Sequence, residues 1–299
     1  MVFRYICHLH NNREKHMTSP GIALEQVPRT LLLPLWGRAE LTRSGNGILL
    51  DPLAVEILDS LEDDFTALRT VLDVSKNYSW IARARQFDDR VRRFALTHPD
   101  CTVVNIGAGL DTTFARVDNG RMHWIDLDLP EVIALRERLI PRRERARCIA
   151  ASMFTTDWMD EVHAERQPIL LLAGGVLFYF TGFEVRALFH TLVERLPSGE
   201  LLFDAMTPAG VTKANGMLRD VGMETAVMQW GLSDASEIDA WHTGMTVLEQ
   251  CEFFHGLPLD RVPYRTRIMI MFNRLLRVMT IVRCAWGREL REEHGAMAE

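Results

Sequence analysis

The chain has 299 residues, of which 47% are hydrophobic, 25% charged and 8% aromatic, as is ordinary for a globular protein. Its net charge of −6, from 34 Lys and Arg against 40 Asp and Glu, argues against a protein that neutralises nucleic-acid phosphates. The five cysteines are scattered without a C-x-x-C pair, which indicates a reducing, cytoplasmic setting. The longest uncharged apolar run, residues 168–183, is too short to span a bilayer, so no transmembrane helix and no membrane partner are predicted.

The first third of the chain is predicted to be helical. Residues 1–19 lack the apolar core of a signal peptide and are interpreted as a disordered leader, with Met1 or Met17 as the natural start. Apolar residues then recur at helical spacing over residues 30–43, and Asp51-Pro52 opens a second helix that runs to residue 58. Residues 80–97 form a third, amphipathic helix.

After residue 99 short β-branched runs alternate with helical segments. The predicted strands are 102–106, 123–126, 147–150, 168–173 and 200–203, and the predicted helices between them are 112–117, 131–139, 157–165 and 183–196. Strands that are joined by helical crossovers predict a parallel sheet with helices on both faces.

The last third is less regular. The methionine-rich stretch 206–228 carries no clear pattern, and it is followed by a predicted helix at 236–242, a strand at 246–254, a helix at 265–276 and a strand at 278–285. Together these elements predict an α/β fold with a mostly parallel seven-stranded sheet and an N-terminal helical addition. No internal repeat or linker divides the chain.

The first strand of the sheet runs directly into a glycine turn and a helix. Gly107 and Gly109 lie in that turn, Thr112 replaces the third glycine of the dinucleotide fingerprint, and Asp126 and Asp128 follow at the next strand end. An acid at this place accepts hydrogen bonds from ribose hydroxyls. A turn that lacks the third glycine suits a nucleoside without a pyrophosphate, which favours S-adenosylmethionine over NAD. Two alternatives stay open: a turn kept only for packing, with both acids capping the next helix, and an NAD-dependent oxidoreductase.

These motifs resemble the leucine carboxyl methyltransferase family, and especially its bacterial and fungal branch, which is similar to the tetracenomycin TcmP O-methyltransferases. The resemblance extends from about residue 29 to residue 204. It rests on Leu31-Leu-Leu-Pro-Leu-Trp-Gly-Arg-Ala-Glu40, Asp51-Pro52, Ile81-Ala-Arg83, Phe87-Asp88, Asn105-Ile-Gly-Ala-Gly-Leu-Asp-Thr112, Asp126-Leu-Asp-Leu-Pro130, Asp157-Trp158 and Gly174-Gly-Val-Leu-Phe-Tyr179. It implies a Rossmann-like class I methyltransferase that uses S-adenosylmethionine.

The resemblance also implies roles for single residues. Arg83 would hold the methionine carboxylate of the cofactor, and Asp128 would accept the ribose hydroxyls. The full set expected to bind the cofactor is Arg83, Gly107, Ala108, Gly109, Asp128, Leu129, Ser152, Met153 and Gly174. Two positions depart from the family pattern, because Ala151-Ser152-Met153 replaces an Asp-Leu pair beside the adenine and Gly174-Gly175 replaces Glu-Gly.

The methyl acceptor is expected to lie between the N-terminal helices and the segment after residue 204. Its candidate contacts are Tyr179, Met206, Trp230 and Trp241, which suit a flat or apolar molecule, and Arg265, which would orient an acidic acceptor. His242 is a weak candidate for a general base, and a structural role for His242 and the methionines and a solvated surface position for Arg265 are the favoured alternatives. No metal site is predicted.

The sequence therefore predicts an S-adenosylmethionine-dependent O-methyltransferase that acts on a carboxylate or phenol of a small molecule, with natural-product biosynthesis as one setting. A methyltransferase of C-terminal leucine in proteins and a non-catalytic S-adenosylmethionine-binding protein are the alternatives. Residues 20–299 are expected to form one domain, with a homodimer as its candidate assembly. Within it, residues 20–98 form part of the lid, 99–206 the cofactor-binding half, and 207–299 the substrate side and closing strands.

Overall fold

A computed structural model of the chain describes residues 31–61, 74–163, 168–220 and 226–287. The predicted leader, residues 1–19, and the two candidate start positions lie outside these residues. The described chain begins with the helices α1 (Leu32–Arg43), α2 (Pro52–Ser60) and α3 (Val74–Thr97), so the predicted helical preface is present. Asp51 caps α2 by accepting a hydrogen bond from the Ala54 amide at 3.1 Å, and Pro52 occupies the first turn, where its missing N–H costs nothing.

The centre of the fold is a seven-stranded sheet in the order β3-β2-β1-β4-β5-β7-β6. Its strands are β1 (Thr102–Ile106), β2 (His123–Asp128), β3 (Ala146–Ala150), β4 (Ile169–Ala173), β5 (Gly199–Met206), β6 (Thr246–Glu252) and β7 (Met279–Trp286). The first five strands are parallel, and β7 pairs antiparallel with both β5 and β6. The predicted mostly parallel sheet of a Rossmann-like fold is confirmed.

Helices cover both faces of the sheet. The crossover helices are α4 (Thr113–Val117), α5 (Pro130–Leu139), α6 (Asp157–His163) and α7 (Gly182–Arg195). Successive side chains of a strand point to opposite faces, so Val104 of β1 packs in the same apolar cluster as Phe189 of α7, whereas Val103 packs with Phe87 of α3. Each cluster joins fully buried side chains of the central strands to side chains of the covering helices. This packing holds the ends of the strands in fixed positions.

The segment after β5 is more regular than its sequence indicates. Residues 208–220, predicted to be irregular, form α8 (Pro208–Asp220), which is followed by α9 (Ser236–Asp239) and α10 (Tyr264–Leu276). The residues Gly210, Thr212, Asn215 and Gly216 have low helix propensity, and α8 instead gains stability by burying Val211 and Leu218. In the described ranges no helix combines the length and apolar character that crossing a bilayer requires.

Candidate functional site

A cavity of about 510 Å³ lies at the carboxyl ends of the parallel strands. The turns that follow β1 and β4 contribute to its wall, as do the helices α1, α3, α8 and α10. Doubly wound α/β folds bind their ligands at this edge of the sheet. The predicted site residues on its wall are Arg83, Gly107, Ala108, Gly109, Gly174, Tyr179 and Met206.

The glycine turn after β1 brings bare backbone to the cavity. Gly107 and Gly109 have positive φ angles of 65° and 48°, a conformation that L side chains rarely adopt. A Cβ atom on Gly107 would lie 2.8 Å from Cγ2 of Val176, and one on Gly109 would lie 3.0 Å from Cδ2 of Leu31. Glycine is therefore required at Gly107 by both conformation and space.

Two buried arginines fix the carbonyl groups of this turn. Arg38 of α1 donates from Nη2 to the Leu110 carbonyl at 3.0 Å. Arg136 of α5 donates from Nη1 to the carbonyls of Gly109, at 3.0 Å, and Asp111, at 2.7 Å. With its carbonyls held in this way, the turn is preorganised before any ligand binds.

The two acids at the end of β2 have different surroundings. Asp126 is buried, pairs with Nη2 of Arg136 at 2.7 Å and accepts a hydrogen bond from the Trp124 indole at 2.9 Å. Asp128 is only partly buried, and its Oδ2 and Oδ1 accept from the amides of Gly109, at 2.8 Å, and Leu129, at 2.7 Å. Burial raises the pKa of Asp128, and these amides oppose that rise. Each carboxylate oxygen of Asp128 retains a lone pair, so it can accept a further hydrogen bond from a ligand.

A third feature of the wall is the guanidinium of Arg83 on α3. Its Nη1 donates to Oδ2 of the fully buried Asp204 at 3.1 Å, and Oδ1 of Asp204 accepts from the Gly175 amide at 2.6 Å. A Cβ on Gly175, whose φ is 78°, would lie 2.4 Å from Nη1 of Arg83. Gly175 therefore leaves room for the guanidinium, which makes no other side-chain hydrogen bond within the described chain and has donors left for a carboxylate.

Much of the remaining cavity wall is apolar. Five methionines line it: Met206, Met217, Met228, Met269 and Met279. Tyr179 lies on the same wall, and its burial raises the pKa of the phenol to about 12, so the phenol is a neutral hydrogen-bond donor at physiological pH. Flexible thioether side chains suit an apolar ligand of irregular shape.

Comparison with known proteins agrees with this geometry. The family model for leucine carboxyl methyltransferase matches residues 32–193. The chain is also 34% identical over 232 residues to the tetracenomycin polyketide synthesis O-methyltransferase TcmP of Streptomyces glaucescens, which covers 77% of this chain and 84% of TcmP. The chain belongs to the leucine carboxyl methyltransferase family. It is a methyltransferase.

Solved structures show the same fold in more distant proteins. A putative methyltransferase from Thermobifida fusca superposes with a TM-score of 0.57 at 15% identity, over 78% of this chain and 93% of that one. A DUF574 family protein from Streptomyces avermitilis superposes with a TM-score of 0.50 at 16% identity, over 77% and 96% of the two chains. At these identities the likeness establishes the shared architecture alone.

Other predicted residues of this methyltransferase lie away from the cavity wall. The Asp128 carboxylate accepts a hydrogen bond from the Gly109 amide, and Leu129 follows Asp128 in the chain. The Ala151 amide, next to Ser152, donates to the Asp128 carbonyl at 2.9 Å. Ser152 accepts from the Phe154 amide at 3.3 Å, and the Met153 side chain packs against the core. Of these four residues, Asp128 contacts the glycine turn directly, and none of them lines the cavity.

The structure does not bring four predicted acceptor-side residues to the cavity. Trp230 and Trp241 pack against each other in the core, with ring centroids 5.9 Å apart. His242 is exposed, and Arg265 is exposed on α10. Two of these side chains are thus used for packing and two face solvent, so none of them forms part of the cavity wall, and the prediction that they contact an acceptor there is corrected.

The methyltransferase also contains a buried ionic cluster that the sequence analysis did not find. Asp51 pairs through Oδ2 with Nε of Arg38 at 2.9 Å and with Nη1 of Arg116 at 2.7 Å, and Arg116 binds both oxygens of Asp88 at 2.9 Å. Thr112, at the place of the missing third glycine, donates to Asp51 as well. The cluster thereby ties α1, α2 and α3 to the helix that follows the glycine turn.

Proposed function

We propose that this methyltransferase transfers the methyl group of S-adenosylmethionine to an oxygen atom of an apolar small molecule. The observation that carries the proposal is that one cavity is lined by the glycine turn, by Arg83 and by five methionines. When bound, S-adenosylmethionine supplies an electrophilic methyl group on a sulfonium. The residues of the chain have to bind, align and desolvate the two reactants.

The residues present fit this cofactor. The Arg83 guanidinium has donors for a carboxylate, and Asp128, directly behind Gly109, has acceptor capacity for hydroxyl groups. Gly107 and Gly109 both line the cavity, and neither has a side chain of its own to keep a ligand from the backbone. Ser152, which replaces an acid of the family pattern, lies off the cavity wall, so the adenine contact that the resemblance implies for it stays a prediction.

The titratable groups of the cavity favour an acceptor that needs no strong base. Within the described chain, the ionisable residues on its wall are Arg38, Arg83, Asp111, Tyr179 and Lys213. Although burial opposes the ionisation of Asp111, the charges of Arg38 and Arg116 lower its pKa to about 2, which makes it a weak base. A carboxylate acceptor is already ionised at neutral pH, so it fits these surroundings better than an alcohol.

The test is a methyl-transfer assay with radiolabelled S-adenosylmethionine and three groups of acceptors: aromatic carboxylic acids, phenols, and peptides that end in leucine. The proposal expects label in the small molecules, as a base-labile ester for acids or a stable ether for phenols. Label in the leucine peptides alone would instead support the protein carboxyl methyltransferase. Cofactor binding with no transfer to any acceptor would support the non-catalytic alternative.

The cytoplasmic setting, the homodimer, the lack of a nucleic-acid partner and the division into functional segments stay predictions from the sequence. TcmP is named for an O-methyltransferase of polyketide synthesis, and we extend that to this chain only as the proposal that its acceptor is a natural product.

A further inference from the structure

One face of α8 forms part of the cavity wall. The residues of α8 that line the cavity are Gly210, Lys213, Ala214, Met217 and Leu218. Their spacing of three and four residues places them on a single face of the helix. Lys213 is the one charged side chain on that face.

The charges on the cavity wall differ in how they are compensated. Three cations, Arg38, Arg83 and Lys213, face one carboxylate, Asp111. Arg38 pairs with Asp51 and Arg83 pairs with Asp204, whereas no residue of the described ranges lies within ion-pair distance of Lys213. Of the three cations on the wall, Lys213 is therefore the one whose charge is not paired with a carboxylate of the described ranges.

Lys213 is exposed to solvent, next to an apolar surface of the cavity. Its neighbour Ala214 packs against the cluster of Phe178, Met206 and Val211, and Met228 packs against the same cluster. A cation at the edge of an apolar surface suits a ligand that combines a flat apolar body with an anionic group, because each part of the ligand meets a matching part of the wall. Arg83, by contrast, lies beside the Gly174-Gly175 turn and is assigned to the cofactor by the proposed function.

We propose that Lys213 is a specificity-determining residue that binds an anionic group of the acceptor, distinct from the oxygen that receives the methyl group. This inference deepens the proposed function and rests on it. A lysine that paired with the reacting oxygen would lose attraction as methylation neutralised that oxygen, so it would stabilise the ground state more than the transition state. An anion that keeps its charge throughout the reaction instead fixes the orientation of the acceptor at no such cost.

The inference is tested with two fluorescent probes that share one aromatic skeleton. 8-Anilinonaphthalene-1-sulfonate carries a sulfonate, and N-phenyl-1-naphthylamine lacks it. Titrations are compared for the wild type, Lys213→Met, Lys213→Arg and the matched control Arg219→Met, which changes an exposed arginine of the same helix. The cavity-filling variant Ala214→Trp identifies the cavity-bound signal, because exposed apolar residues of α10 such as Phe272 and Leu275 also attract such probes.

We expect Lys213→Met to weaken cavity binding of the sulfonate about fivefold, as for the loss of an exposed ion pair, while Lys213→Arg and Arg219→Met stay within about twofold of the wild type. The affinity for the neutral probe should change less than about threefold in every variant except Ala214→Trp. An unchanged sulfonate affinity in Lys213→Met, an equal loss of both probes, or no signal sensitive to Ala214→Trp would each overturn the inference. Because no turnover is involved, these outcomes are separate from a failure to bind S-adenosylmethionine.

Discussion

Replacing Gly107 tests whether the glycine turn needs both its positive φ angle and the space beside Val176. We expect Gly107→Ala to lower the free energy of unfolding by about 2–4 kcal/mol, because it adds a positive-φ strain of about 1 kcal/mol and a contact with Val176 at 2.8 Å. Gly120 is the matched control, since its φ is 81° and nothing lies within 4 Å of an added Cβ. Gly120→Ala should therefore cost only the strain.

Urea unfolding of both variants, and of Gly107→Ala combined with Val176→Ala, measures the steric part through a double-mutant cycle. A favourable coupling between the two substitutions is expected. Equal costs for Gly107→Ala and Gly120→Ala would show that the space beside the turn is not restricted.

Asp111 makes stability depend on pH in acid. Its pKa is lowered to about 2 in the folded chain, against an ordinary value near 3.8, because Arg38 and Arg116 outweigh the cost of burial. A depressed pKa stabilises the folded state above pH 3.8, by about 2 kcal/mol here, and this contribution is lost as the pH falls towards 2. The excess stability of the wild type over Asp111→Asn should shrink between pH 5 and pH 3 in urea titrations, and a constant difference would contradict the assignment.

The sequence identified residues whose role depends on their own type and place in a motif. Arg83, Gly107, Gly109 and Gly174 line the cavity as expected. Arg136 and Lys213 were missed, because nothing in their local sequence separates them from solvated surface cations. Their positions depend on which strand end and which helix face the fold brings to the cavity.

At the scale of elements, Asp51 connects the N-terminal helices to the helix after the glycine turn. Its side chain is fully buried between Arg38 and Arg116, so Asp51→Ala should cost about 3–5 kcal/mol by leaving buried charge unpaired and removing the cap of α2. Asp59→Ala on the same helix breaks only an exposed pair with Arg43 and should cost less than about 1 kcal/mol. Urea unfolding measures both, and similar losses would contradict a structural role for the cluster.

Helices and strands could be predicted from the sequence wherever a single pattern of residues is strong. Short β-branched runs predicted β1 to β5, and Asp51-Pro52 marked the start of α2. The helix α8 was not predicted, because its glycines and β-branched residues disfavour a helix and only packing against the rest of the fold stabilises it. The site extends into this helix, so the acceptor side was predicted less well than the cofactor side.

At the scale of the whole molecule, the site depends on contacts between distant parts of the chain. Arg83 and Asp204 are 121 residues apart and meet at the cavity. The order of the strands, with β7 inserted antiparallel between β5 and β6, could not be read from periodicity, because periodicity identifies a strand but not its neighbours. It is this order that places β5, and with it Asp204 and Met206, next to the turn after β4.

The most direct test of the account is calorimetric titration with S-adenosylhomocysteine, the demethylated cofactor, and with NAD, on the wild type, Asp128→Ala and the control Asp59→Ala. We expect the wild type and Asp59→Ala to bind S-adenosylhomocysteine equally well. Asp128→Ala should bind it about 10- to 100-fold more weakly, equivalent to about 1.5–3 kcal/mol for lost charge-assisted hydrogen bonds. Tight binding of NAD without binding of S-adenosylhomocysteine, or unchanged affinity in a folded Asp128→Ala variant, would contradict it.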